Sequence, residues 1–189
     1  MPARYPLPRT WLVTDERQGD RLWGALRRLP KGSGVIVRHY RLNEPERRKL
    51  FERICGIARS RKLILFLSAS PEKARRWRAD GVYSGVDSDA PKAMPWAAAV
   101  HDLAEIRRAE RGGAAILLLS PLFPTRSHPG GATLGLPRFR QLIGATRLPV
   151  VALGGVQMRH EPLLRKVGAY GWAGIDAFIP DSNATTIRT

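Results

Sequence analysis

Leu148-Pro149-Val150-Val151-Ala152-Leu153-Gly154-Gly155-Val156 is an apolar run that stops on two glycines. A run of this length fits a strand buried on both faces, as in a parallel sheet covered by helices. Glycines at its end let backbone approach a ligand, or permit a tight turn, because no Cβ intervenes. Twelve residues beyond Val156, Gly168-Ala169-Tyr170-Gly171 leads into a second apolar run, Trp172 to Ile175. Neighbouring parallel strands ending in glycine-rich loops are how phosphate-binding barrels of alternating strands and helices build their anion site.

Upstream, the same alternation repeats. A proline-rich leader spans residues 1–10, and Trp11-Leu12-Val13 then reads as a strand ending at Thr14-Asp15. Leu22, Leu26 and Leu29 follow at helical spacing. Val35 to Val37 is the second strand, ending in Arg38-His39-Tyr40. Asn43 caps a helix with Pro45 in its first turn, and Leu50, Phe51, Ile54 and Ile57 form its buried stripe. Further strands are expected at Leu63–Leu67, Asp80–Gly85, Trp96–Val100 and Ala115–Leu119. Helices are expected from Ser70-Pro71, from Asp102 with Glu105 in capping-box spacing, over Leu136–Ile143 and over Glu161–Val167. A loop rich in Pro, Gly, Ser and Thr runs from Ser120 to Gly135; loops of that length are usually functional or mobile.

Eight strand candidates alternating with helices predict an α/β fold, a single compact (β/α)8 TIM barrel. An open doubly wound sheet is the alternative, weakened because no G-x-G-x-x-G follows the first strand. The tail over residues 180–189 reads as irregular, so the closing helix is expected to be short or missing. That would expose apolar barrel wall, and a homodimer is expected to cover it.

The 189 residues suffice for one domain with a sizeable core. The hydrophobic share of 43% and mean hydropathy of −0.25 fit a soluble globular chain without a membrane-spanning run. One cysteine, Cys55, excludes an internal disulfide; with no secretory signal in view, a cytoplasmic location is expected. The net charge of +16 comes mostly from arginine. Its clusters sit among glutamates on amphipathic helices, without a ladder of aromatics for stacking bases. Nucleic acid is therefore not the expected partner. No Walker loop, nucleophile elbow or zinc motif is present.

Arg38, ending an apolar strand, needs solvent, an anion or a carboxylate such as Asp15 or Asp176. His101, at the fifth strand end, is either a general acid/base at the barrel mouth or a cap of the next helix. His128 in the long loop is either an anion contact or a surface residue. His39 is expected to be structural, His160 exposed and Cys55 part of the core.

Several motifs in order resemble the thiamine-phosphate synthase/TenI-type family. They are Leu12-Val13-Thr14-Asp15; Ala79-Asp80-Gly81-Val82-Tyr83 with Gly85; the His101 strand end; Ser120-Pro121-Leu122-Phe123-Pro124-Thr125; and Val150 to Val156 followed by Gly168-Ala169-Tyr170-Gly171. The resemblance covers about Trp11 to Phe178. It implies a (β/α)8 barrel that joins a pyrimidine pyrophosphate to a thiazole phosphate, with magnesium on the pyrophosphate. On that resemblance Arg38 keeps the pyrophosphate arginine, while the lysine two positions on is Tyr40. The asparagine and metal-binding aspartate after the third strand become Ser68 and Ala69. The second metal aspartate falls on Ser88, flanked by Asp87 and Asp89, and the serine at the fifth strand end is Ala99. Thr125 and Ser127 keep hydroxyls on the thiazole phosphate side, and the following lysine is His128. Gly154 and Gly155 are kept; beyond Ile175, the serine ending the eighth strand becomes Asp176. The tautomerase histidine after the sixth strand is Pro121.

The resemblance thus implies a small phosphorylated heterocycle as ligand, with no metal-ligating set retained for magnesium and a degenerate synthase site. A non-catalytic phosphate-ligand or partner-binding barrel is the alternative, and a basic nucleic-acid-binding barrel a weaker one. Arg38, His101 and His128 are the candidate catalytic residues. Tyr40, Thr125, Ser127, Gly154, Gly155, Ile175 and Asp176 are the candidate binding residues.

Overall fold

The computed structural model describes residues 7–87, 93–126 and 130–179. Eight short parallel strands close into a barrel in sequence order: β1 (Thr10–Val13), β2 (Gly34–Val37), β3 (Ile64–Leu67), β4 (Gly81–Ser84), β5 (Trp96–Val100), β6 (Ile116–Leu119), β7 (Val150–Ala152) and β8 (Gly171–Gly174). The closing pair registers Trp11 with Ala173. Outside lie α1 (Arg21–Arg28), α2 (Glu44–Arg61), α3 (Pro71–Trp77), α4 (Leu103–Arg111), α5 (Gly135–Ile143) and α6 (Glu161–Lys166). No helix among the described residues joins β4 to β5 or follows β8. The expected leader (1–10) is described only from residue 7, and the expected tail (180–189) lies outside the described residues.

Alternation along each strand sorts the core into two layers. Trp11, Ile36, Phe66, Ile116, Leu118 and Val151 fill the barrel, while Leu12, Val35, Leu65, Leu117 and Val150 pack outward under the helices. The interior is solid. Trp11 and Phe66 meet edge to face with ring centroids 5.1 Å apart. Glycines make room for these rings: a Cβ on Gly34 would lie 2.1 Å from the Trp11 ring, and one on Gly81 2.4 Å from Phe66.

Helix starts follow their caps. The Asn43 side chain accepts from Glu46 N, and Ser70 Oγ accepts from Lys73 N. The Leu148–Val156 stretch divides as its composition suggests: Val150–Ala152 is strand and Leu153 onward is turn. Ile175, expected inside the last strand, lies just past its end at Gly174. Phe178 stacks on Trp172 at 5.1 Å, so a short turn rather than a helix covers the outer face of β8 there. Cys55 is half-buried on α2, and burial pushes its thiol pKa up, which suits a packing role.

Candidate ligand site at the barrel mouth

The strand C-termini carry the polar residues. At the ends of β1 and β2 a network locks two segments together. Thr14 Oγ1 accepts from Arg38 N at 3.0 Å and shares a 2.9 Å hydrogen bond with His39 Nδ1. Asp15 Oδ2 accepts from Arg38 Nη2 at 2.8 Å, and Asp15 Oδ1 accepts from Arg17 Nε at 2.8 Å. Burial tends to raise the Asp15 pKa. Backbone and side-chain hydrogen bonds from Arg17, and the charges of Arg17 and Arg38, outweigh it and hold the carboxyl below its ordinary value. His39 is buried, and burial lowers its pKa despite Glu16 and Asp15 nearby. Of the alternatives for Arg38, the structure shows pairing with Asp15; its Nε is buried without a partner among the described residues.

Beside this network, the turn after β7 and the end of β8, which pairs with β1, form a cavity of about 130 Å³. Thr125, Gly154, Gly155, Ile175 and Asp176 all line it, five of the sequence candidates in one place. Arg17 and Arg126 line it too, so the immediate balance is two cations against one carboxylate. Asp176 lies 4.0 Å from Arg126 Nε, which offsets its charge. Gly154 and Gly155 have φ of 91° and 64°, in the left-handed region. Their missing side chains also admit the chain itself. A Cβ on Gly154 would sit 2.7 Å from Pro121 Cα, and one on Gly155 2.4 Å from the Pro124 carbonyl oxygen. Leu122 N donates to the Leu153 carbonyl at 2.8 Å and Phe123 N to that of Gly154 at 3.0 Å. The glycine pair thus docks the loop that carries Thr125 onto the cavity.

A second, wider cavity of about 580 Å³ opens between the ends of β2 and β5. Tyr40, Ser68, Ala69, Tyr83, Ser84 and Ala99 line it. Tyr40 is 62% exposed, and its hydroxyl lies 2.7 Å from Ser68 Oγ. The guanidinium carbons of Arg38 and Arg47 each lie 5.8 Å from its ring centroid. Arg47 Nη2 donates to the Ser68 carbonyl at 2.7 Å and to that of Val37 at 3.3 Å.

Among the described residues, the donors do not fit the magnesium that the resemblance implies. Mg²⁺ is held by carboxylates and phosphate oxygens. Here Ala69 offers no side-chain oxygen, and Ser68 is engaged by Tyr40. Among the described residues no three His, Cys, Asp or Glu side chains come together to hold a metal. Ser88 and Asp89 lie outside the described residues.

The remaining candidates stand apart. Arg38 and Tyr40 lie away from the glycine cavity. His101 is 57% exposed by side chain, with Nδ1 2.8 Å from Glu105 Oε2. The same Glu105 oxygen accepts from His101 N at 2.7 Å, and the Asp102 side chain caps Glu105 N, so His101 is tied to the first turn of α4. Ser127 and His128 lie outside the described residues. Sequence reasoning missed Arg17, Arg126 and Gln157 as lining residues, and missed Gln18. The Gln18 amide donates to the Val13 carbonyl at 3.2 Å and to the Ile175 carbonyl at 2.5 Å, tying β1 to the β8 turn. Its one signal is its place three residues after Asp15, the spacing of the capping box that the two residues form.

A family model described as thiamine monophosphate synthase matches residues 10–178. A putative thiamine-phosphate synthase 2 of Aquifex aeolicus is 30% identical over 183 residues, covering 92% of this chain and 98% of that protein. A thiamine-phosphate synthase of Lactococcus lactis is 26% identical over 166 residues, covering 80% of this chain and 77% of that one. Among solved structures, a thiamine phosphate pyrophosphorylase from Pyrococcus furiosus superposes with a TM-score of 0.77 at 23% identity, covering 93% of this chain and 89% of that one. That likeness speaks to the barrel alone. With the closed barrel, the ordered mouth motifs and the match from strand β1 to the turn after β8, the chain belongs to the thiamine monophosphate synthase family.

Proposed function

We propose that the protein binds a phosphorylated heterocycle of the thiazole phosphate kind and does not carry out metal-assisted coupling to a pyrimidine pyrophosphate. The observation that carries this reading is the convergence of Thr125, Gly154, Gly155, Arg17 and Arg126 on one cavity at the ends of β7 and β8. Backbone and the exposed Arg126 guanidinium there suit a phosphate monoester, with Arg17 held at the rim by Asp15. The opposite side of the mouth offers a leaving pyrophosphate poor support. That group develops several negative charges as it departs and needs cations or metal. On the resemblance the lysine position is Tyr40 and the first metal carboxylate is Ala69, and in the structure Arg38 is paired with Asp15.

The experiment is calorimetric titration with thiazole phosphate, followed by incubation with pyrimidine pyrophosphate and magnesium while pyrophosphate is measured. Binding without pyrophosphate release is expected. Steady pyrophosphate release would overturn the non-coupling reading, and failure to bind thiazole phosphate would overturn the ligand. Among the described residues no helix is long and apolar enough to cross a membrane. A cytoplasmic location is part of the same proposal, supported by the lone cysteine.

A further inference from the structure

We propose that the end of the barrel opposite the mouth binds the phosphate backbone of a nucleic-acid duplex, with the groove between α2 and α3 as its centre. The inference is independent of what the mouth holds.

Topology gathers the charge. In the sequence the arginine clusters read as separate solvated helix faces. In the barrel each helix runs back beside its strand, so its last turn arrives where the next strand begins. All six last turns carry arginine or lysine. Lys31, Lys62, Arg78 and Arg147 add cations in the connections that follow. Glutamates sort the other way: α2, α3, α4 and α6 carry them in the first turn, toward the mouth. Among the described residues the carboxylates at the far end, Asp80 and Glu110, are already bonded. Asp80 accepts from Leu65 N, and Glu110 accepts from Arg107 and Thr146.

Cations at helix C-termini also complement the helix dipoles, so position alone does not make a site. Two observations go further. A groove of about 780 Å³ between the ends of α2 and α3 is lined by five cations and two carboxylates, a balance of +3. The two helix ends offset about one charge of it between them. Arg48 pairs with Glu52, but Arg59, Lys62, Arg76 and Arg78 make no ion pair among the described residues. Lys62 and Arg78, the residues that end α2 and α3, also both adopt left-handed backbone, with φ of 54° and 59°. Glycine is usual there because it has no Cβ to clash. Two cations standing at glycine positions and lining one groove point to a use for their charge.

The surface selects the partner. The exposed large apolar side chains among the described residues are Tyr40, Leu103, Met158 and Leu163. The first three lie at the mouth ends of their elements and Leu163 in the first turn of α6. The far end therefore offers no apolar anchor for a protein partner and no wedge for a bilayer. It offers no exposed aromatic for stacking single-stranded bases either. Arginine and lysine suffice for the phosphates of a duplex, which are bound without reading base sequence.

The test is fluorescence anisotropy with a DNA duplex of about 20 bp and mixed sequence, titrated with the full chain from about 50 mM to about 200 mM salt. Binding that weakens steeply with salt is expected. The double variant Lys62→Gly, Arg78→Gly removes two cations and relieves both left-handed positions. It is expected to lower the salt slope by about 2 and to weaken binding at about 0.1 M salt by roughly 10- to 60-fold, while Tm holds or rises. Arg41→Ala, an exposed cation at the mouth, is expected to leave affinity unchanged. Failure to bind the duplex at about 50 mM salt would overturn the inference. So would unchanged affinity in the glycine variant, with or without a fall in Tm, since the two side chains would then serve the helix ends alone. Equal loss in Arg41→Ala would overturn the placement at the far end. Tighter binding of the single strand, or of phosphatidylserine vesicles, would overturn the choice of partner.

Discussion

Gly154→Ala separates a glycine kept for ligand approach from one kept for packing. Two costs come from the structure. Residue 154 has φ of 91°, which an L side chain resists by about 1–2 kcal/mol. The new Cβ would also stand 2.7 Å from Pro121 Cα and 3.1 Å from Leu122 N, and both are backbone atoms that cannot swing aside. Overpacking of that kind costs about 1–3 kcal/mol. The sum, about 2–5 kcal/mol, corresponds to a fall in Tm of about 5–15 °C for a chain of this length. Urea and thermal unfolding of the ligand-free protein, followed by tryptophan fluorescence, measure it. The expected result is destabilisation without any ligand present, together with weaker thiazole phosphate binding because the Thr125 loop is displaced. Ligand-free stability within about 0.5 kcal/mol of wild type, the usual spread of neutral substitutions, would refute the packing argument.

Three further outcomes are expected. Burial lowers the His39 pKa from 6.5, so the unfolded chain binds the proton first as pH falls. Stability should be full above pH 6.5 and decline as pH drops from there toward the depressed folded value; His39→Gln should flatten that slope in chemical unfolding across the window. Asp176→Asn removes the one carboxylate lining the glycine cavity, and should tighten thiazole phosphate binding by about fivefold, or about 1 kcal/mol; calorimetry showing equal or weaker binding would contradict it. The protein is expected to sediment as a homodimer, and a monomer at micromolar concentration would remove that expectation.

The barrel was legible because each strand is a short apolar run bounded by glycine, proline or a capping residue. The strand ends were legible for the same reason. Gly154, Gly155, Thr125, Ile175 and Asp176 fall together because parallel strands put their C-termini on one rim. The arginines were not legible. Arg17 and Arg126 are two of 32 basic residues, and nothing in their local pattern distinguishes a rim arginine from a solvated one. Arg38 illustrates the other limit. Its strand end is correct, yet only the fold shows that Asp15 engages it, because that carboxylate arrives from β1. His101 was legible both as an acid/base and as a cap of the next helix, and its bonds to Glu105, which favour the second, emerge only with side-chain geometry. The glycine pair suggested ligand approach; the loop that packs against it is invisible without the third dimension.

The filled barrel interior has a kinetic consequence. Trp11, Ile36, Phe66, Leu118 and Val151 are fully buried and leave no passage along the axis. No ligand can therefore reach either cavity through the barrel, and each is entered and left from the rim at the strand C-termini.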